Sequence, residues 1–223
     1  MTRRARARGV RPLCLGMTLM VGATASAAVT NEIWPEIDVV LPVTGSLRLL
    51  LTGSGTRDAD GGDRTQGAYA AYLVYRISQH ISVRAGYEYR QRLKLSTEAR
   101  GDVEHRQMYD FSYSVDLRQD ARLTDRTRID VRDRGGQTTY RLRNRLVFTR
   151  DLEVLRVRLA PYASGEVFYD TQYDRVDRLQ FRLGTTLPTG QNVAWDFYLA
   201  RQRDTQPATK FINALGVTLV IKY

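Results

Sequence analysis

From about residue 46 onward, apolar and polar residues alternate with a period of two. Val83, Ala85, Tyr87 and Tyr89 alternate with Arg84, Gly86, Glu88, Arg90 and Arg92. Tyr109, Phe111, Tyr113 and Val115 alternate with Asp110, Ser112, Ser114 and Asp116. Further along, Arg126, Arg128 and Asp130, then Arg141, Arg143 and Arg145, then Arg178, Gln180 and Arg182, are interleaved with Ile129, Leu142, Leu179 and Phe181. A strand turns successive side chains to opposite faces, so each stretch predicts a strand with one greasy and one polar side. No helical period stands out after residue 30. No apolar run reaches the roughly 20 residues that a membrane-spanning helix needs. The pattern predicts ten strands, at about 46–56, 67–78, 81–95, 104–118, 122–134, 137–149, 153–169, 174–187, 191–202 and 209–223.

The connections alternate in length. "SQHI", "RQDARLT", "FTRDLE" and "LPTGQ" are short. "TRDADGGDRTQG", "STEARGDVE", "RDRGGQTT", "YDTQYDR" and "RQRDTQPATK" are mostly longer and rich in Gly, Asp, Thr and Arg. Short turns at one end and longer loops at the other are the pattern of a membrane barrel. Aromatic placement agrees with it: Tyr75, Tyr87, Tyr89, Tyr109, Tyr169, Phe211 and Tyr223 fall toward segment ends on the apolar face, where interfacial girdles sit. A soluble barrel would turn the apolar face inward, but the polar face is crowded with arginines and no helix is available to cover the other side. The expectation is an all-β fold, a transmembrane antiparallel up-and-down barrel of about 10–12 strands. An eleventh candidate, "EIWPEIDVVLPV", precedes these strands. It contains Pro35, which cannot donate to a ladder. It either lies in or under the barrel or signals a twelve-stranded wall.

Charge changes the picture at the start of the chain. Lysines and arginines number 34 against 24 acids. Five arginines lie within "MTRRARARGVR", followed by an apolar stretch, Leu13 to Ala23, and then "ATASAAVT". A basic region, a short apolar core and an Ala-x-Ala site make a secretory signal peptide, with cleavage expected after Ala27 or Ala28. The domain reading is therefore a leader at 1–27, an N-terminal segment at 28–45 and the barrel at 46–223. Without the leader the balance falls to 29 against 24, and the one cysteine, Cys14, is lost with it. Disulfides, thiolate nucleophiles and sulfur-ligated metals drop out. No cofactor is expected.

The chain ends "INALGVTLVIKY". Val217, Leu219, Ile221 and the final Tyr223 share one face. This stretch resembles the β-signal of bacterial outer-membrane proteins, which the barrel-assembly machinery reads. Residues 104 to 223 also resemble the "domain of unknown function 2490" family of predicted outer-membrane proteins. The landmarks are "EHRQ" at 104–107, "RTRID" at 126–130, "YRLRNRL" at 140–146, "GEVFY" at 165–169 and "DRLQFRLG" at 177–184, with an early tryptophan, Trp34. The resemblance implies a barrel, outer-membrane lipid around it and a location in the bacterial outer membrane. It implies no activity.

On this register the polar face carries fifteen arginines, at 48, 76, 84, 90, 92, 126, 128, 132, 141, 143, 145, 156, 158, 178 and 182. It carries six acids, Glu88, Asp110, Asp116, Asp130, Glu166 and Asp196. A narrow barrel is filled by its own side chains. The first reading is therefore a structural, passive network of arginine forks on carboxylates. The alternative uses the surplus of positive charge: a narrow anion-selective pore, or a binder of small anions or lipopolysaccharide phosphates. Loop acids such as Asp58, Asp60 and Asp63 could neutralise that surplus. A third reading is an outer-membrane hydrolase. His80 falls in a predicted turn. His105, beside Asp102 and Glu104, has the flanking acids of a general base, but no paired nucleophile is visible, and the expectation is not an enzyme. Nucleic acid is excluded as a partner because the arginines line a ring rather than an exposed groove.

Overall fold

The computed structural model describes residues 28–59, 65–93, 103–117, 120–154, 156–206 and 208–223. The expected leader at 1–27 and the loop acids Asp60, Asp63 and Asp102 lie outside them. Twelve strands follow one another: β1 Ala28–Pro42, β2 Leu47–Asp58, β3 Thr65–Arg76, β4 Ile81–Leu93, β5 Val103–Asp116, β6 Ala121–Arg134, β7 Gln137–Arg150, β8 Leu152–Val154, β9 Val157–Asp170, β10 Arg175–Pro188, β11 Val193–Asp204 and β12 Lys210–Lys222. Eleven of them close a ring, in which β7 pairs with β9 and β12 pairs with β1. The three-residue β8 is a side hairpin on the start of β9, with Leu152 opposite Leu159. A closed ring leaves no unpaired sheet edge.

One junction departs from the expected antiparallel ring. β1 runs parallel to β12, with Ala28 opposite Lys210 and Val40 opposite Lys222. All other neighbours in the ring are antiparallel. The count is therefore odd, and the residues 28–45 expected to stand apart supply a wall strand. Ala28 and Tyr223 lie at opposite ends of the ring, called here the upper and lower ends. Pro35 is accommodated because it faces outward, where the β1–β2 register is interrupted between Ile33 and Glu36. Its ring lies over Gly55, so a missing donor meets a gap in the ladder.

The two ends differ less in loop length than expected. "RDRGGQTT" is not a loop. Gly135 and Gly136, both with positive φ (61° and 88°), make a two-residue turn between β6 and β7. Such a turn matches the strand twist and suits glycine at both positions. At "YDTQYDR", β9 and β10 run up to Asp170 and Arg175.

The alternation settles which face is inside. Arg128, Asp130 and Arg132 on β6 are buried, whereas Ile129 between them is exposed. The most exposed Phe and Leu side chains, Phe181, Leu183 and Leu199, point away from the ring. The apolar material inside is sparse. One cluster joins Ala70, Tyr72 and Met108. Another joins Tyr198, Ala200 and Ala214, with Trp34 and Tyr162 against it. Tyrosines lie over inward-facing glycines. A Cβ on Gly216 would sit 1.9 Å from the Tyr198 ring, and one on Gly86 would sit 2.3 Å from the Tyr72 ring. These glycines supply room for a ring rather than backbone freedom.

Candidate functional site

The interior polar network is the candidate site. Its layers follow from register. Arg84 on β4, Asp110 on β5 and Arg128 on β6 are cross-strand partners. Asp110 takes the Nε–H of Arg128 at 2.5 Å and a second donor of the same guanidinium at 3.1 Å, and it is also bonded to Arg84. Arg84 lies over the Tyr72 ring at 4.4 Å. The next layer centres on Glu166 of β9. It accepts from Arg143 at 3.0 Å and from Arg126 at 3.4 Å. Arg145 beside them donates to Ser164 at 3.2 Å. Asp130, fully buried, faces Arg143 at 3.6 Å.

Near the upper end, Arg132 donates to Asp170 at 2.6 Å. Arg141 bridges Asp170 and Asp177, at 2.7 Å to each. Asp177 is the extra residue of a β-bulge, since the register passes from Val176–Tyr169 directly to Arg178–Phe168. The bulge turns an additional carboxylate inward. Glu104 is held by Arg106 and Arg134, and Glu88 by Arg90 at 3.0 Å and Arg106 at 3.3 Å. Arg178 forks onto Asp204 at 2.8 and 3.3 Å. Each fork gives a planar guanidinium its matching pair of acceptors.

Of the expected lumen residues, Arg84, Glu88, Arg90, Asp110, Arg126, Arg128, Asp130, Arg132, Arg141, Arg143, Arg145, Glu166, Arg178, Arg182 and Asp196 thus face the interior. Arg156 and Arg158 do not join them. Arg156 occupies the β8–β9 turn with φ of 64°, and Arg158 pairs with Glu153 of the side hairpin, both exposed. Asp116 is half of an exposed pair with Arg122 at the lower rim, 2.6 Å apart. The expected charge surplus is largely a counting error. Seven interior acids were missed: Glu32, Glu36, Asp38, Glu104, Asp170, Asp177 and Asp204. The first three lie on β1, which Pro35 had set aside. Glu104, Asp170 and Asp204 lie at strand ends within segments read as loops, and Asp177 lies within an expected strand and faces inward through the bulge.

The expected acid–His105 cluster is also undone. Glu104 points inward and His105 outward, as neighbours on one strand must. The His105 ring lies against Tyr87 and Tyr89, hydrogen-bonded to the Tyr87 hydroxyl and 5.5 Å from the Tyr89 ring. His80 sits in the exposed turn between β3 and β4, as expected. Among the described residues, no group of three or more His, Cys, Asp or Glu is placed to hold a metal ion.

A cavity of roughly 950 Å³ opens from the upper end. Its walls include Arg90, Arg106, Arg141 and Arg178, and its deepest residues are Glu36, Arg143, Arg182 and Tyr198. The guanidinium of Arg143 covers the Phe168 ring at 4.5 Å. Arg182 covers Tyr198 at 4.8 Å and Trp34 at 5.8 Å, and donates to Gln180 at 3.0 Å. Below that level the polar side chains bond to those of the next strand or the next but one. Asp38 accepts from Thr52 at 2.7 Å, and Asp196 accepts from Tyr162 at 2.9 Å and Thr186 at 3.1 Å.

At the lower end, β12 turns Val217, Leu219 and Ile221 outward, and Tyr223 closes the chain with its side chain exposed. Its N–H donates to Val40 O at 3.1 Å, which ties the terminus to β1.

No curated protein and no solved structure matches the chain. One family does: the one described as "Protein of unknown function (DUF2490)" matches residues 31–213, from β1 into β12. The match takes in both sides of the parallel seam and every strand that supplies the interior network, and the chain belongs to this family.

Proposed function

We propose that this protein is a bacterial outer-membrane β-barrel whose interior is a structural salt-bridge network, so that it is a passive wall element and not an open pore. The observation that carries this reading is the inversion of the barrel. Charged side chains fill the inside, while Phe181, Leu183 and Leu199 stand 64–67% exposed outside. A soluble barrel buries such residues; lipid is the solvent in which this surface is stable. On β7 the outward face from Tyr140 to Phe148 is apolar apart from Asn144, and its length is close to the roughly 9–11 residues that cross a bilayer as a tilted strand. The passive reading rests on the lower half of the interior. Asp110, Asp38 and Asp196 are each held there by side chains of the next strand or the next but one, so these charges are engaged with the wall and do not stand free along an ion path. The leader exports the chain, and the β12 face of Val217, Leu219, Ile221 and Tyr223 is what the assembly machinery recognises.

Two experiments test this. The exported protein should fractionate with membranes and require detergent for extraction; recovery in the soluble periplasmic fraction would overturn the location. Refolded in planar bilayers, it should give no steady conductance. A steady, anion-selective current would overturn the passive reading.

A second reading has one specific support. Arg182, at the floor of the upper cavity, is held by Gln180 and two aromatic rings instead of a carboxylate. Its charge is available to an anionic guest, either a small anion or a phosphate group of lipopolysaccharide. Calorimetric titration with phosphate, against an Arg182→Gln variant, reports it directly.

A further inference from the structure

The outward face is interrupted at mid-height by a polar cluster between β6 and β7. Asp125 and Thr127 point outward from β6, and Asn144 points outward from β7 opposite Thr127. The Asn144 amide donates to Asp125 at 2.7 Å and to Thr127 at 3.1 Å. Thr127 and Asn144 are central in their strands. Apolar residues bracket the cluster along both strands: Leu123 and Ile129 on β6, Leu142 and Leu146 on β7. Other outward-facing acids among the described residues, such as Asp133 and Asp174, lie at or beside turns.

On the outer-membrane reading, which this inference rests on, the cluster lies near the middle of the hydrocarbon layer. Acyl chains offer neither donors nor acceptors, and an ionisable side chain at that depth marks contact with protein. The hydrogen bonds within the cluster leave it incomplete. Asp125 uses one oxygen, the Asn144 carbonyl is unused, and the Thr127 hydroxyl has a proton to give. One patch thus holds a spare donor and spare acceptors, the condition for pairing with itself about a two-fold axis. The flanks agree. On the β5 side, Phe111 and Tyr113 form an exposed ridge. On the β9–β10 side, Ala163 and Gly165 floor a shallow apolar depression beside Leu146, Phe148 and Phe181. A two-fold axis along the membrane normal sets the ridge of each copy against the depression of the other.

We infer that the β6–β7 face is a dimer interface within the membrane, where Asp125, Thr127 and Asn144 pair with the same residues of a second copy of this chain. Polar side chains between small residues and apolar ridges are how proteins associate in lipid, where hydrophobic burial gives no drive.

The test places one cysteine on the exported chain, which otherwise loses its cysteine with the leader. Leu146→Cys sits at the proposed interface, and Leu51→Cys sits outward on β2. Intact membranes are oxidised and run on non-reducing gels. Leu146→Cys should give a band at twice the chain's mass, at least tenfold stronger than Leu51→Cys. Adding Asp125→Leu and Asn144→Leu should remove that band while the heat-modifiable folded form remains. Membrane-bound, folded protein with no preferential Leu146→Cys band would overturn the dimer and leave the outer-membrane reading standing. Crosslinking to a different protein would equally overturn the second copy as occupant. Protein found in the soluble fraction without detergent would overturn the outer-membrane reading, and the dimer with it.

Discussion

Glu166 is 3% exposed and has Arg126, Arg143 and Arg145 around it. Its charge is what lets three guanidiniums share one layer. Removing one partner of a buried ion pair leaves the others uncompensated, which costs about 3–5 kcal/mol. Glu166→Gln keeps the shape and removes the charge. It should lower unfolding stability in detergent by about that amount, measured as a shift in the urea midpoint. Glu153→Gln, on the exposed side hairpin, should move it by less than about 0.5 kcal/mol. A Glu166→Gln midpoint equal to wild type would mean that solvent, not the carboxylate, balances the arginines. At this scale the sequence was a good guide wherever alternation was regular. Arg126, Arg128, Asp130, Arg141, Arg143 and Glu166 all face inward as their parity requires. It failed where a residue's parity is reset locally. Asp177 faces inward because a bulge inserts it, and Arg156 leaves the interior because the chain turns there. Neither event changes the pattern of residue types.

Among the elements, β1 is the one that alternation described well and composition obscured. Glu32, Trp34, Glu36 and Asp38 alternate with Ile33, Pro35 and Ile37, but the proline argued against a ladder position. Spatial neighbours supply the missing information: the gap opposite Pro35 exists only once β2 is placed. Direction is also invisible in a single strand, since parallel and antiparallel closure demand the same faces. Cysteines distinguish them. Ile37 lies opposite Leu219, whereas Val29 lies opposite Phe211. The Ile37→Cys, Leu219→Cys pair should form an intrachain disulfide, seen as a mobility shift of the denatured chain. The Val29→Cys, Leu219→Cys pair should not. Reversal of these results would mean an antiparallel seam. Glycine positions are a second element-level device. Gly216 on β12 gives the Tyr198 ring of β11 its place, and there is no space for a Cβ. Gly216→Val should therefore displace Tyr198 and its Trp34 contact, at a cost of about 1–3 kcal/mol or more. The yield of heat-modifiable folded form after refolding measures it. Gly190→Val, where a Cβ meets nothing within 4 Å, is the matched control for space.

For the whole molecule, the question is which solvent the outer wall meets, and one side chain can answer it. Leu199 lies near the centre of β11, outward and 64% exposed. Its outward neighbours are Leu183 on β10 and Leu215 on β12, so it sits in an apolar field with no carboxylate beside it. If water bathed this wall, Leu199→Arg would exchange an exposed apolar group for a soluble one. The expected change would lie within about 0.5 kcal/mol. If lipid bathes it, the guanidinium must be carried to near the bilayer midplane, which costs roughly 2–4 kcal/mol in a membrane barrel. The two cases differ severalfold and point to opposite behaviour in solution. Refolding into vesicles, followed through Trp34 and Trp195 during urea titration, should show the larger loss for Leu199→Arg. Arg201→Leu, two residues higher on the same face and bonded to Asn213 at 2.5 Å, should show no comparable loss, because it takes a charge out of the wall instead of carrying one in. A large loss on adding the charge and none on removing it is a property of lipid. Equal, small effects at both would place the wall in water, and the arginine-filled interior would then belong to a soluble barrel turned inside out.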